Sequence, residues 1–182
     1  MRRFLTGGVV LSFLLSVAVA LCAQSKLQAP GGVPLSVQLN PAKKGPPMTQ
    51  HASGPFDVKV TPQNPDNPPA EAANLGRMSL DKKFHGDLEA TSQGEMLSAM
   101  GEVKGSAGYV AMERARGTLH GRNGTFVLQH SATMNRGVPS LSITVVPDSG
   151  TGELVGLAGS MKIIIEQGKH SYEFEYTLPE AQ

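Results

Sequence analysis

Apolar and polar side chains alternate along most of the chain from Arg77 onward, and no sustained helical stripe interrupts them. One run of shared parity comprises Phe126, Leu128, His130, Ala132 and Met134, and another comprises Tyr172, Phe174, Tyr176 and Leu178. A period of two is typical of strands that bury one face and expose the other, as antiparallel strands do. The pattern therefore predicts an all-β domain of about eight strands.

Turn signals separate the predicted strands. Asn123–Gly124 lies between two strand-like runs and predicts a two-residue hairpin. Residues 166–169 and 147–150 are further turn candidates. Eight strands joined by short turns can close on themselves and leave no exposed edge. We predict an eight-stranded antiparallel β-barrel, with a sandwich as the alternative.

A glycine-rich segment lies between the strand-like runs "LSITVV" and "MKIII". It carries Gly150, Gly152, Gly156 and Gly159. A phosphate-binding loop requires a helix after the glycines, whereas β-branched residues favour a strand there. Glycines within a strand mark bulges, bends or close packing. The segment is interpreted as part of the barrel wall.

Residues 1–23 have the layout of a secretory signal peptide. Arg2 and Arg3 precede an apolar stretch without acidic residues, and small residues end it. Cleavage between Ala20 and Gln24 predicts a secreted or periplasmic protein with no transmembrane span after processing. An uncleaved anchor is the alternative. Cys22 is the only cysteine, but Leu21 before it disfavours lipidation, so the processed chain is expected to form no disulfide.

Two further regions complete the predicted organisation. Residues 24–54 contain five prolines and no sustained periodicity, which predicts a disordered proline-rich linker. Residues 55–182 are assigned to the barrel domain, although residues 61–76 carry four more prolines. The alternating "FDVKV" at residues 56–60 predicts one strand that joins the barrel from a distance.

Charge narrows the range of partners. Loss of Arg2 and Arg3 leaves 14 basic and 15 acidic side chains, and the chain contains no Trp. Without a basic stripe, we expect no nucleic-acid partner.

Four blocks of sequence resemble a bacterial family of unknown function, domain number three-two-two-four, which is grouped with the allene oxide cyclase-like barrels. The blocks are "FHGDLEATSQGEML", "GSAGYVAMERARGTLHGRNGTFVLQH", "VVPDSGTGELVGLAGSM" and "HSYEFEYTL", and they fall within residues 76–178. "GTGELVGLAG" is also similar to a segment of dirigent and allene oxide cyclase barrels, with Leu154 in place of the usual aromatic residue. The resemblance implies an eight-stranded antiparallel barrel and supplies no reaction.

Tyr109, Glu113 and His130 are the candidate ligand-binding residues. His130 shares the parity of Leu128 and Ala132, so its side chain is expected to face the interior. Tyr109 and Glu113 share a parity with three apolar residues, which would turn Glu113 inward, although the opposite parity, with Val110 and Met112 inside, competes. A buried carboxylate and imidazole must pair or shift their pKa values, as functional groups and structural networks both do.

No other chemistry stands out. The histidines are too far apart in sequence for a typical metal site, and no nucleophile or cofactor motif is present, so we expect neither metal nor cofactor. Three functions remain open. The barrel binds a small apolar ligand, acts on such a ligand as an isomerase- or cyclase-like enzyme through Glu113 and His130, or is a filled structural module that self-associates as a homo-oligomer.

Overall fold

A computed structural model describes residues 48–65 and 67–179, which form eight strands and two short helical turns. The elements are β1 Thr49–Gln63, α1 Pro68–Ala72, β2 Gly76–Phe84, β3 Leu88–Met100, β4 Ala107–Leu119, β5 Arg122–Asn135, β6 Val138–Val145, the 3₁₀ turn Gly152–Leu154, β7 Ala158–Glu166 and β8 Lys169–Thr177.

The strands form a closed antiparallel barrel in sequence order. Each strand pairs with the next, and β1 closes the barrel by pairing with β8 over a register that includes Thr49 opposite Thr177. The predicted all-β, eight-stranded antiparallel barrel is confirmed.

The two ends of the barrel differ. The lower end, which carries the β2–β3, β4–β5 and β6–β7 connections, is filled by aromatic and aliphatic side chains. Phe126 stacks on Phe174 with ring centroids 5.9 Å apart, and Leu154 and Leu157 from the β6–β7 connection are buried beneath them. The upper end carries the β3–β4, β5–β6 and β7–β8 turns, and inward-facing side chains there stay exposed. The core therefore lies in the lower half.

The barrel wall is weakest between β6 and β7. These strands pair only at Thr144 and Ser160, whereas every other neighbouring pair is in register over eight or more residues. Above Thr144 no further residues of β6 and β7 are paired in register with each other.

The barrel begins earlier than the sequence predicted. β1 starts at Thr49, so residues 49–54, which were assigned to the linker, are strand residues paired with β8. The boundary at residue 55 was wrong because the polar residues 49–54 gain their strand conformation from this long-range pairing. The predicted signal peptide, residues 1–23, and the linker up to residue 47 lie outside the described residues.

The predicted turn at Asn123–Gly124 was also wrong. β4 ends at Leu119 and β5 begins at Arg122, so His120 and Gly121 form the turn, both with positive φ. Gly124 lies within β5, where a Cβ would clash with the carbonyl oxygen of Thr151. This glycine serves close packing rather than a turn.

The glycine-rich segment belongs to the barrel architecture, as predicted, but only Gly159 lies in a strand of the wall, while Gly150, Gly152 and Gly156 lie in the β6–β7 connection. It forms a turn and a three-residue 3₁₀ turn and then enters β7, and no α-helix follows the glycines. Gly152 has a φ of 61°, which favours glycine. Among the described residues, no helix is long and apolar enough to cross a bilayer.

Candidate functional site

Four buried polar side chains meet on the inner face at mid-height of the barrel. Lys82, Ser92, Glu113 and His130 come from the consecutive strands β2, β3, β4 and β5. Alternation along each strand turns these residues inward, together with apolar neighbours two positions away. We call this group the polar cluster.

Glu113 is the centre of the polar cluster. Its Oε1 accepts hydrogen bonds from Lys82 Nζ at 2.7 Å and from His130 Nε2 at 2.8 Å. Its Oε2 accepts a hydrogen bond from Ser92 Oγ at 2.7 Å. Both carboxylate oxygens are therefore bonded to donors, which is the condition for burying a charge without a large penalty.

The surroundings of Glu113 favour its ionised form. Burial by itself raises the pKa of this carboxyl, but the hydrogen bond from His130, the charge of Lys82 and the hydrogen bonds from Lys82 and Ser92 outweigh burial. The net result lowers the pKa of Glu113 from 4.5 to about 2. Glu113 is therefore an anion at neutral pH.

Aromatic rings hold the ammonium group of Lys82 from the other side. Lys82 Nζ lies 5.5 Å from the ring centroid of Phe56 and 5.9 Å from that of Phe84. These distances allow cation–π attraction, which strengthens where water is excluded. Lys82 is only 6% exposed, so its charge is balanced by Glu113 and by the two ring faces.

One ring nitrogen of His130, Nε2, is hydrogen-bonded to Glu113, and the other, Nδ1, is not. Because Nε2 faces the ionised Glu113, Nε2 carries a proton, and in the neutral ring Nδ1 is left as an acceptor. Nδ1 has no hydrogen-bond partner among residues 48–65 and 67–179. In that part of the chain no side-chain polar atom is both buried and unpartnered, so Nδ1 must reach accessible space. The ring is only 3% exposed, and His130 borders a pocket that it shares with Leu97, Val110 and Gln129.

A cavity of about 240 Å³ lies above the polar cluster, between β3, β4, β5 and β6. Tyr109 and Ala132 line it, and they are two or more residues above Glu113 and His130 on the same inner faces. Met96, Met134 and Leu141 supply further apolar wall. Burial, and then the negative charge of Glu113, raise the pKa of the Tyr109 hydroxyl.

The upper barrel presents apolar side chains to open space. Val60, Met134, Leu141 and Ile165 share the parity of buried core residues, yet they are 44%, 42%, 41% and 63% exposed. In a filled barrel such positions are covered by one another. We call this open upper interior, together with the cavity, the cup.

The sequence predicted part of this site. Tyr109, Glu113 and His130 all face inward as expected, and the Glu113–His130 pair is confirmed, while the competing parity is wrong because Val110 and Met112 face outward, 55% and 48% exposed. Lys82 and Ser92 were missed. Lys82 shares the parity of Leu80 and Phe84, and this shared parity could have predicted that Lys82 faces inward.

The remaining histidines do not converge on the polar cluster. His120 Nδ1 lies 2.6 Å from the Tyr176 hydroxyl, and His85 Nδ1 lies 3.5 Å from Glu89 Oε2. Across the described residues, no three His, Cys, Asp or Glu side chains are grouped so that they could hold a metal ion.

Comparison with known proteins identifies the family. The model of a family described as "Protein of unknown function (DUF3224)" matches residues 52–176. The chain belongs to the DUF3224 family. The crystal structure of a DUF3224 protein of unknown function from Shewanella oneidensis MR-1 is 53% identical, with a TM-score of 0.67, and the match covers 74% of this chain and 100% of that chain. A comparison with curated proteins finds no match.

Membership in DUF3224 confirms the resemblance to a bacterial family of unknown function and extends it to the N-terminal side, from residue 76 to residue 52. The grouping with allene oxide cyclase-like barrels stays a prediction, since neither the family model nor the Shewanella structure names that superfamily.

Proposed function

We propose that this DUF3224 barrel binds a small, largely apolar ligand in the cup. The observation that carries the proposal is the exposure of inward-facing apolar side chains at one end of a barrel whose other end is densely packed. Exposed contiguous apolar surface is costly for a soluble domain and commonly marks a binding site.

The dimensions of the cavity limit the ligand. An apolar cavity of about 150 Å³ holds benzene, and drug-sized ligands occupy roughly 300 Å³ or more. The cavity of about 240 Å³ lies between these sizes. A ligand somewhat larger than benzene would fill it.

Catalysis by Glu113 and His130 has less support than binding. A general acid or base works best when its pKa is near the working pH. The pKa of Glu113 is lowered to about 2, so this group neither donates a proton nor accepts one readily at neutral pH. The pair is better suited to a structural and orienting role.

Methionine methyl NMR tests the proposal with methylcyclohexane as the probe. Met96 and Met134 line the cavity, while Met112 is on the outer face. We expect ¹³C-methyl shifts at Met96 and Met134 on titration. Ala132→Phe should fill the cavity and abolish these shifts, whereas Ser131→Phe, on the outer face of the same strand, should leave them intact. Shifts confined to Met112 would place the probe on the outer surface and refute the cup.

We also propose that the protein is exported. Support comes from the layout of residues 1–23 alone. N-terminal sequencing of the protein from its host should find a first residue between Leu21 and Gln24, and an intact Met1 on membrane-bound protein would contradict cleavage.

A further inference from the structure

We propose that the ligand carries a neutral aromatic ring, which packs against the ring of Tyr109 and the thioethers of Met96 and Met134. This inference rests on the proposed binding function and specifies the ligand class as small uncharged aromatic compounds. Tyr109, Met96 and Met134 line one cavity of about 240 Å³, so a ligand that fills the cavity contacts all three residues.

The ring of Tyr109 has no aromatic neighbour in the described part of the protein. Every other Phe and Tyr of residues 48–65 and 67–179 packs against at least one further Phe or Tyr ring, with ring centroids 5.2 to 5.9 Å apart. No such contact involves Tyr109 within these ranges. Aromatic rings attract one another beyond the area that they bury, so the ring of Tyr109 is available to an aromatic ligand.

Small residues lie directly opposite Tyr109 on both neighbouring strands. Its register partners are Ser98 on β3 and Ala132 on β5, and both of them line the same cavity. Directly opposite side chains are the nearest neighbours on one face of a sheet. Because neither of these two side chains is large enough to cover a tyrosine ring, the cavity reaches the ring of Tyr109.

Two methionines occupy positions diagonal to Tyr109. Met96 is two residues from Ser98 along β3, and Met134 is two residues from Ala132 along β5. Diagonal neighbours on one face are within reach of aromatic and long side chains. A thioether makes favourable contacts with an aromatic ring, with the sulfur about 5 Å from the ring. Since a saturated ring offers no such contact, the two methionines favour an aromatic ligand over a saturated one.

The lining of the cavity suits an uncharged ligand. None of the described residues that line it is Asp, Glu, Lys, Arg or His. An ion that leaves water without a charged partner loses hydration that an apolar wall does not replace. The ring that packs against Tyr109 is therefore neutral.

The test compares toluene with methylcyclohexane, which have the same carbon skeleton and differ in aromaticity. Affinities are measured from the Met96 and Met134 methyl shifts in the full chain, in Tyr109→Leu and in Tyr109→Phe. We expect Tyr109→Leu to weaken toluene relative to methylcyclohexane roughly threefold to tenfold, as loss of one aromatic pair implies. Tyr109→Phe keeps the ring, so the ratio of the two affinities should stay within about twofold of its wild-type value.

A second measurement requires no substitution. Bound toluene should give nuclear Overhauser effects between its ring protons and those of Tyr109, and benzoate, which adds a negative charge to the same ring, should bind more weakly than toluene at pH 7. An unchanged affinity ratio in Tyr109→Leu, bound toluene without Overhauser effects to Tyr109, or tighter binding of benzoate would overturn the aromatic assignment while leaving apolar binding intact. If neither toluene nor methylcyclohexane moves Met96 or Met134, the cup itself is refuted and the aromatic assignment falls with it.

Discussion

At the scale of single residues, Lys82 is the buried lysine of the barrel interior, and its charge must be balanced there. It is a cation in the barrel interior, held by one carboxylate and two aromatic faces. Such an arrangement is weak evidence for net stability, since apolar replacements of a whole buried pair are often tolerated. Removing one partner alone is different, because it leaves the other charge buried and unbalanced.

Substitution of Lys82 tests this environment. Lys82→Met keeps the length of the side chain and leaves Glu113 without its cation, so we expect a loss of about 3–5 kcal/mol in the free energy of unfolding. Lys83→Met is the matched control, because Lys83 is exposed on the outer face, and it should change stability by less than about 0.5 kcal/mol. Urea denaturation of both variants measures the difference, and equal effects would argue against a coupled buried pair.

The lowered pKa of Glu113 predicts a pH dependence. A carboxyl whose pKa falls from 4.5 to about 2 on folding stabilises the protein above the unfolded value and loses that contribution as pH falls toward 2. The contribution is about 3 kcal/mol. Unfolding free energies of the wild type should therefore decline between pH 5 and pH 2.

Glu113→Gln should remove this part of the decline. Glu173→Gln, which alters an exposed carboxylate on β8, should keep it. A wild-type curve and a Glu113→Gln curve that run parallel through this range would mean that folding does not lower the pKa of Glu113.

At the scale of strands, the alternation of apolar and polar residues predicted which faces turn inward. The bounds of β1 and the role of Lys82 depend on pairing between distant strands, which the sequence pattern does not show. The inward positions of Glu113 and His130 followed from their apolar neighbours of the same parity. Lys82 had the same signal, but a lysine among apolar positions looks like an interruption unless its carboxylate partner on another strand is known. Thr49 to Gly54 lack alternation of apolar and polar residues, so only pairing with β8 defines them as strand.

The wrong hairpin assignment has a local cause. Asn-Gly is a strong turn signal, yet His120 and Gly121 also tolerate positive φ, and the chain turns there. Gly124 therefore lies within β5 and not in the turn. Its missing Cβ lets the β6–β7 connection approach β5, where Thr151 N donates to Thr125 O at 2.8 Å.

Gly124→Ala tests this packing at the level of the strand. The added Cβ meets a backbone carbonyl that cannot rotate away, so we expect a loss of about 1–3 kcal/mol. Gly108→Ala is the control on β4, because a Cβ there lies 3.6 Å from Ala132 O, an ordinary contact, and stability should change little. Thermal unfolding of both variants provides the comparison. Equal midpoints would show that the connection is not held close to β5.

At the scale of the whole molecule, one half of the barrel carries the stability and the other half is left open. Aromatic packing and the buried β6–β7 connection close the lower end, and the polar cluster forms a floor at mid-height. Above that floor, inward-facing apolar side chains such as Met134 and Leu141 stay 42% and 41% exposed. This division separates the part of the fold that must stay rigid from the part that can accept a ligand.

The pairing of the first strand with the last makes the order of strands around the barrel independent of where the chain is cut. Thr49 lies opposite Thr177, so a short linker can join the two ends of the barrel, and new termini can be opened elsewhere by circular permutation. The β7–β8 turn is the favoured site, because Gln167 and Gly168 are exposed and a Cβ added at Gly168 would meet no atom within 4 Å. A permutant opened between Gln167 and Gly168 should unfold at a higher temperature than one opened between Asp148 and Ser149, because Val127 N donates to Ser149 Oγ at 3.0 Å and the β6–β7 connection packs against β5.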